Sequence, residues 1–218
     1  QRHEFGKPLS NMAVVFDFDG DDRPDVLGTE GRGSDASSRF VWARNMGQGR
    51  FQILDNIESA QGDFLQGCVA TRFDPQGPIQ VALSWHRDEQ GLQMLTVPVD
   101  PVRNQWTWRK ISDFSQDEDL STGDIDRDGL IDFSTGTNWL RRTRDGWSLH
   151  NLHPSSQSPD RNRLADINHD GRLDCIVGFE AISIPGLLAW YEQPEDPFQQ
   201  WAEHVVVPDI IGPMSLDV

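Results

Sequence analysis

The sequence predicts an all-β chain, a β-propeller of four-stranded antiparallel blades, and three observations predict it. An acidic loop pattern recurs three times, beginning at Asp17, Asp124 and Asp166. Short apolar runs flank the copies, as in Ala13-Val14-Val15-Phe16 before the first and Val26-Leu27 after it. No stretch sustains a 3.6-residue apolar period between helix caps. A single blade cannot bury both of its faces, so such repeats pack side by side around an axis.

Composition narrows the function classes. The 218 residues carry a formal net charge of −16. Such a surface repels phosphate backbones and argues against a nucleic-acid partner. No run approaches the roughly 18 consecutive apolar residues of a membrane span. Cys68 and Cys175 cannot make a disulfide framework, and they fall in repeats that are not neighbours, so both are expected to be thiols.

The repeats follow in order. The first reads as strand A over residues 12–18, strand B over 25–29, strand C over 40–44 and strand D over 50–57. From Asp17 to Asp124 is 107 residues, about twice a blade of ~50, so a copy is expected near residue 70. There the frame survives, with Arg72, Gln76 and Gln80 in place of acids, and no calcium is expected. The third copy is shortened; its Trp139-Leu140-Arg141-Arg142 echoes Trp42-Ala43-Arg44-Asn45. The fourth places strand C over 187–192 and strand D over 201–207. The repeats span approximately 9–58, 64–112, 118–153 and 160–207, within one propeller region covering 1–218. Residues 1–5 read as a further strand D and 211–218 as the start of a further strand A. Either a larger ring, with its remaining blades in a longer chain, or an unusual small ring is expected.

The three loops share D-x-[DN]-x-D-[GD]-x-x-D. Oxygens on alternate residues of a tight loop can turn toward one centre, and Ca²⁺ takes six to eight of them, usually with a backbone carbonyl at position seven. The candidate ligands are Asp17, Asp19, Asp21, Arg23 and Asp25; Asp124, Asp126, Asp128, Leu130 and Asp132; and Asp166, Asn168, Asp170, Arg172 and Asp174. Arg23, Leu130 and Arg172 would contribute carbonyls. About three ions are expected. Position six is Asp22 in the first loop and glycine in the others; Asp tolerates the positive φ required there. An EF-hand would need Glu at position twelve and flanking helices, whereas position twelve is Gly28, Thr135 and Val177 and the flanks are strands.

These loops and repeats resemble the FG-GAP/VCBS family of calcium-binding β-propellers, which includes the integrin α-chain head. The resemblance covers nearly the whole chain, and the acidic loops are its most specific part. Gly178-Phe179 matches the family's FG pair only in inverted order. The resemblance implies metal loops between strands A and B, a ring that is most often seven-bladed, and a secreted, periplasmic or cell-surface location. It implies a calcium-stabilised binding or scaffold module for protein or polysaccharide. The alternative is the propeller domain of a secreted polysaccharide lyase or sugar dehydratase.

A ligand face is expected on the rim opposite the metal loops, where connections vary in length. Its contributors would be Arg32, Asp35, Arg39 and His86, with segments 113–118 and 154–161. His3, His150 and His204 hold matching strand-D positions and read as repeat consensus. Trp42, Trp139, Trp190 and Trp201 read as packing between blades, and Trp106 with Trp108 as an edge-strand pair. No GxSxG, Walker A or HExxH pattern occurs, so no catalytic set is assigned.

Overall fold

The structure, a computed structural model, describes residues 9–31, 37–63, 65–116, 119–180 and 185–210. The chain divides into two compact units, residues 1–113 and 114–218. Each unit by itself holds two four-stranded antiparallel sheets, and each sheet is an up-and-down meander.

In the first unit one sheet runs β1 (Leu9–Phe16), β2 (Asp25–Glu30), β3 (Phe40–Asn45) and β4 (Phe51–Leu54). The other runs β5 (Leu65–Thr71), β6 (Gln80–Trp85), β7 (Leu92–Thr96) and β8 (Thr107–Ser112). In the second unit the sheets are β9 (Ser121–Gly123), β10 (Asp132–Ser134), β11 (Asn138–Thr143) and β12 (Gly146–Asn151), then β13 (Pro159–Ala165), β14 (Asp174–Phe179), β15 (Gly186–Glu192) and β16 (Ala202–Ile210). First strands adjoin within each unit, β1 beside β5 and β9 beside β13. The layout is β-propeller-like, with four sheets of the expected four-stranded antiparallel kind. Among the described residues there is no α-helix, only a 3-10 turn at Asp88–Gln90. Among the described residues no helix is long and apolar enough to cross a membrane. The segments expected at 1–5 and 211–218 lie outside the described residues.

Period-2 patterning explains what each sheet buries. Leu27 of β2, Trp42 of β3, and Val81, Leu83 and Trp85 of β6 turn into one core with Phe18, Leu65 and Trp106. In the second unit Trp139, Cys175, Val177, Phe179, Ala189, Tyr191 and Trp201 do the same with Ile125. Neither cysteine is in a disulfide. Cys175 is buried, and that burial pushes its thiol up to about 12.

Trp106 departs from the edge-pair reading. It is fully buried just ahead of β8, its ring 5.0 Å from Trp42 and 5.3 Å from Phe18. Its N–H donates to Asn56 O (2.9 Å) and its carbonyl accepts from Glu58 N (3.0 Å), so it clasps the end of the neighbouring sheet. Its Nε1 donates to Pro101 O at 2.9 Å. Trp201 repeats the device in the second unit. Its N–H donates to Leu152 O (2.8 Å) and its Nε1 to Pro197 O (3.1 Å). The Asp-Pro turns at Asp100-Pro101 and Asp196-Pro197 therefore serve as sockets for a tryptophan that locks two sheets together.

Trp106→Ala and Trp201→Ala should each cost about 3–5 kcal/mol in urea unfolding, the usual penalty for emptying an aromatic core site. Trp190→Ala should cost distinctly less, because Trp190 is only partly buried. The Cys175 thiol should resist aromatic disulfide reagents in the native protein and react once denaturant is added.

Candidate functional site

The acidic loops join β1 to β2, β9 to β10 and β13 to β14. Their backbones match. Positions four and six are left-handed in every one: Gly20 and Asp22, Arg127 and Gly129, His169 and Gly171. Asp22 takes φ 63° where the other loops use glycine. The first aspartate organises each turn by accepting backbone N–H groups. Asp17 accepts from Gly20 (2.8 Å), Asp21 (3.1 Å) and Asp22 (2.8 Å). Asp124 accepts from Asp128 and Gly129, both at 3.0 Å, and Asp166 from Asp170 and Gly171, both at 2.9 Å. The second repeat turns differently. No residue of its turn is left-handed; Gly77 N donates to Asp74 O (2.8 Å) and Arg72 Nη1 to Gly77 O (2.6 Å).

The ninth position is set apart. Asp25, Asp132 and Asp174 are fully buried, and each bridges its loop to the third strand of its sheet. Asp25 accepts from Phe18 N (3.3 Å), Trp42 Nε1 (3.0 Å) and Asn45 N (2.7 Å). Asp132 accepts from Ile125 N (3.0 Å) and Arg142 N (2.7 Å), and Asp174 from Ile167 N (3.1 Å) and Gln193 N (2.9 Å). Burial raises all three above the ordinary carboxylate range, Asp132 to about 7. These N–H donors pull the other way.

A residue of the third strand also reaches position three. Arg44 pairs with Asp19, and Arg141 with Asp126 and Asp128. In the last loop Glu192 holds the matching place and accepts from Asn168 Nδ2 at 3.0 Å. Sequence reasoning passed over this contact, although Asp19–Arg44 and Asn168–Glu192 form a legible charge swap at nearly equal separations.

The donor chemistry of the first two loops fits a hard cation. Carboxylate oxygens of Asp17, Asp19 and Asp21 lie within 4.8 Å of one another, as do those of Asp124, Asp126 and Asp128. Asp19 Oδ1 is buried and has no hydrogen-bond partner, an acceptor that a cation would satisfy. Beside this loop the first unit has a cavity of about 670 Å³, bounded by Asp19, Arg72, Gln76 and the Pro98–Pro101 turn.

Arg32 and Asp35 lie outside the described residues. Arg39 is exposed and pairs with Glu30 at 3.5 Å. His86 Nδ1 lies 2.9 Å from Asp63 Oδ2, within a turn. Segment 154–161 leads into a charged cluster at the start of β13. Asp160 pairs with Arg161 (2.6 Å), and Arg163 pairs with Asp119. Asn162 Nδ2 donates to Asp119 O (2.9 Å), and Ser121 Oγ donates to Asn162 Oδ1. Asp160 is raised by burial, drawn down by Arg161, and raised again by Glu180 and Asp119. The signal available for it in sequence was a polar residue six places ahead of each loop: Asn11, Gln66, Glu118 and Asp160.

No protein-family model matches the chain, and no curated protein does. Among solved structures it is similar to a thermostable family-43 glycoside hydrolase, with a TM-score of 0.50 and 12% sequence identity over 95% of this chain and 77% of that one. At that identity the likeness shows the fold, a β-propeller-like arrangement of antiparallel blades.

Asp25→Ala should destabilise the first unit by roughly 1–3 kcal/mol or more, because it strands buried N–H donors. The loss should be the same in EDTA and in calcium, which equilibrium unfolding in each buffer would check. A loss seen only in calcium would make Asp25 an ion ligand before it is a backbone staple.

Proposed function

We propose that this chain is a propeller domain directed at carbohydrate outside the cytosol, with calcium held in its A–B loops as a structural ion. The observation that carries the calcium part is the pair of converging aspartate triads, one with an orphaned buried oxygen at Asp19. The resemblance to FG-GAP/VCBS propellers supports the same reading. Asp17, Asp19 and Asp21, and Asp124, Asp126 and Asp128, would hold the ions; Asp166 and Asp170 with Asn168 would hold a third. Calcium would supply charge neutralisation, and the chain's own part is to orient the loops through N–H donors and the buried ninth aspartate.

Carbohydrate is favoured over a protein partner by the likeness to a glycoside hydrolase. The strongly acidic surface also turns away phosphate-bearing ligands. Within this reading the propeller domain of a polysaccharide lyase or sugar dehydratase is preferred to a bare scaffold.

Sites of about 0.1–1 mM affinity would each add roughly 0.4–1.4 kcal/mol at 1 mM Ca²⁺. Melting in EDTA against 1 mM Ca²⁺ should therefore show a rise of the midpoint, reduced in Asp17→Ala and in Asp124→Ala. An unchanged midpoint, with no bound metal by elemental analysis, sinks the calcium part. Release of unsaturated or reducing sugar ends from polysaccharides separates an enzyme from a binding module.

A further inference from the structure

The first strand of a sheet slips register at one recurrent place. In β5, Leu65 faces Trp85 and Gly67 faces Ser84, so Gln66 is an extra residue. In β13, Pro159 faces Phe179 and Arg161 faces Gly178, so Asp160 is the extra residue. In β1 the irregularity falls between Leu9 and Ala13, around Asn11. Gln66 and Asp160 stand six residues ahead of Arg72 and Asp166, the same position in two repeats. A bulge costs ladder hydrogen bonds and re-aims one side chain, and bulges gather beside ligand sites. In β5 and β13 the extra residue is polar, Gln66 and Asp160, and it stands at the end of the strand remote from the loop.

In the second unit the bulge builds more than a turn. Asp119, Asn162 and Ser121 form a buried floor in which the Asp119 side chain is only 4% exposed, and the half-buried Arg163 pairs with Asp119 from its edge. Asp160 and Arg161 sit next to it with side chains 14% and 12% exposed, recessed but still open to solvent. Glu180 follows β14 directly, and its N–H donates to Ser158 O at 3.0 Å. Three carboxylates, Asp119, Asp160 and Glu180, face two guanidiniums, Arg161 and Arg163. The balance is one negative charge, which disfavours phosphate and carboxylate ligands.

A carboxylate beside a guanidinium offers acceptors and donors on neighbouring edges. A hydroxyl is both donor and acceptor, so two adjacent hydroxyls can meet both edges at once. We propose that the Asp160 bulge, with Arg161 and Glu180 around it, is a binding site for the vicinal hydroxyls of a neutral carbohydrate. This rests on the carbohydrate reading above and gives it a place and residues. Asp160 and Arg161 bind the sugar; Asp119, Arg163 and Asn162 position them.

The test is titration of the whole chain with cellohexaose, xylohexaose, chitohexaose and oligogalacturonate, followed by Asp160→Asn and Arg161→Gln. Hydrogen exchange on the unmodified chain, with and without the best ligand, is the companion measurement. At least one neutral hexasaccharide should bind. Each substitution should weaken it more than about tenfold, since each removes a charged hydrogen-bond partner, with little change in melting point. Exchange should slow over residues 157–163 and 178–180. Binding unchanged in both variants, or protection over residues 17–25 and 72–80 instead, overturns the site and leaves the carbohydrate reading standing. Binding of oligogalacturonate alone overturns the neutral-ligand assignment. No binding of any sugar sinks the site and the carbohydrate reading together. Should either variant fail to fold, the exchange map of the unmodified chain decides.

Discussion

A buried carboxylate that must be surrounded by N–H donors governs each acidic loop. Taking Asp25, Asp132 or Asp174 out of water is costly unless hydrogen bonds replace the lost solvent. The donors come from two directions, the second residue of the loop and the end of the sheet's third strand. Satisfying the charge therefore fixes the loop against the sheet. The second repeat shows the converse. Its matching residue is Gln80, uncharged and only half-buried, with Thr96 Oγ1 at 3.4 Å. With no charge to satisfy, the turn there gives up its left-handed positions as well.

The hydrophobic core depends on the same staple. Phe18 donates its N–H to Asp25 and places its ring against Trp42 and Trp106. Ile125 plays both parts in the second unit, donating to Asp132 and packing in the core with Trp139 and Trp201. A loop rich in acids is thus anchored by the apolar residue at its second position. Its polar neighbours can then converge without the turn collapsing into solvent.

Much of this was legible in the sequence for a local reason. The acidic pattern and the strands it joins are encoded within some ten residues of one another, and Asp22 at positive φ follows from its place in the loop. The role of Asp25 was not legible. Alternate acids look alike until burial separates the ninth from the rest, and burial is set by strands that lie far along the chain. Trp106 was misjudged for the same reason. Its spacing to Trp108 suggested an edge-strand pair, whereas its partners Asn56 and Trp42 are about fifty residues or more away. The bulge at Asp160 leaves only a faint trace, one polar residue at a fixed distance ahead of each loop, because an inserted residue changes register without changing composition.

The third-strand contact to position three shows what the fold itself requires of these loops. Asp19 meets Arg44 and Asp126 meets Arg141, but Asn168 meets Glu192. Both members of the pair change in the last loop, and the contact survives with its polarity reversed. Charge neutralisation is therefore not what the contact is for, since an amide and a carboxylate neutralise nothing. What all three share is a strap from the third strand that holds the middle of the loop in place. It leaves the first and fifth residues to set the turn. The strap also differs in what it leaves behind. Arginine removes part of the negative charge from the first two clusters, and Glu192 returns a carboxylate to the third, where Asn168 has given one up. His204 Nε2, 2.9 Å from Glu192 Oε2 and stacked on Trp190, then fixes that carboxylate from its other side. The loops are alike in backbone and balanced in charge by different residues. A repeat can diverge in this way when its geometry is held by strands and its electrostatics by side chains.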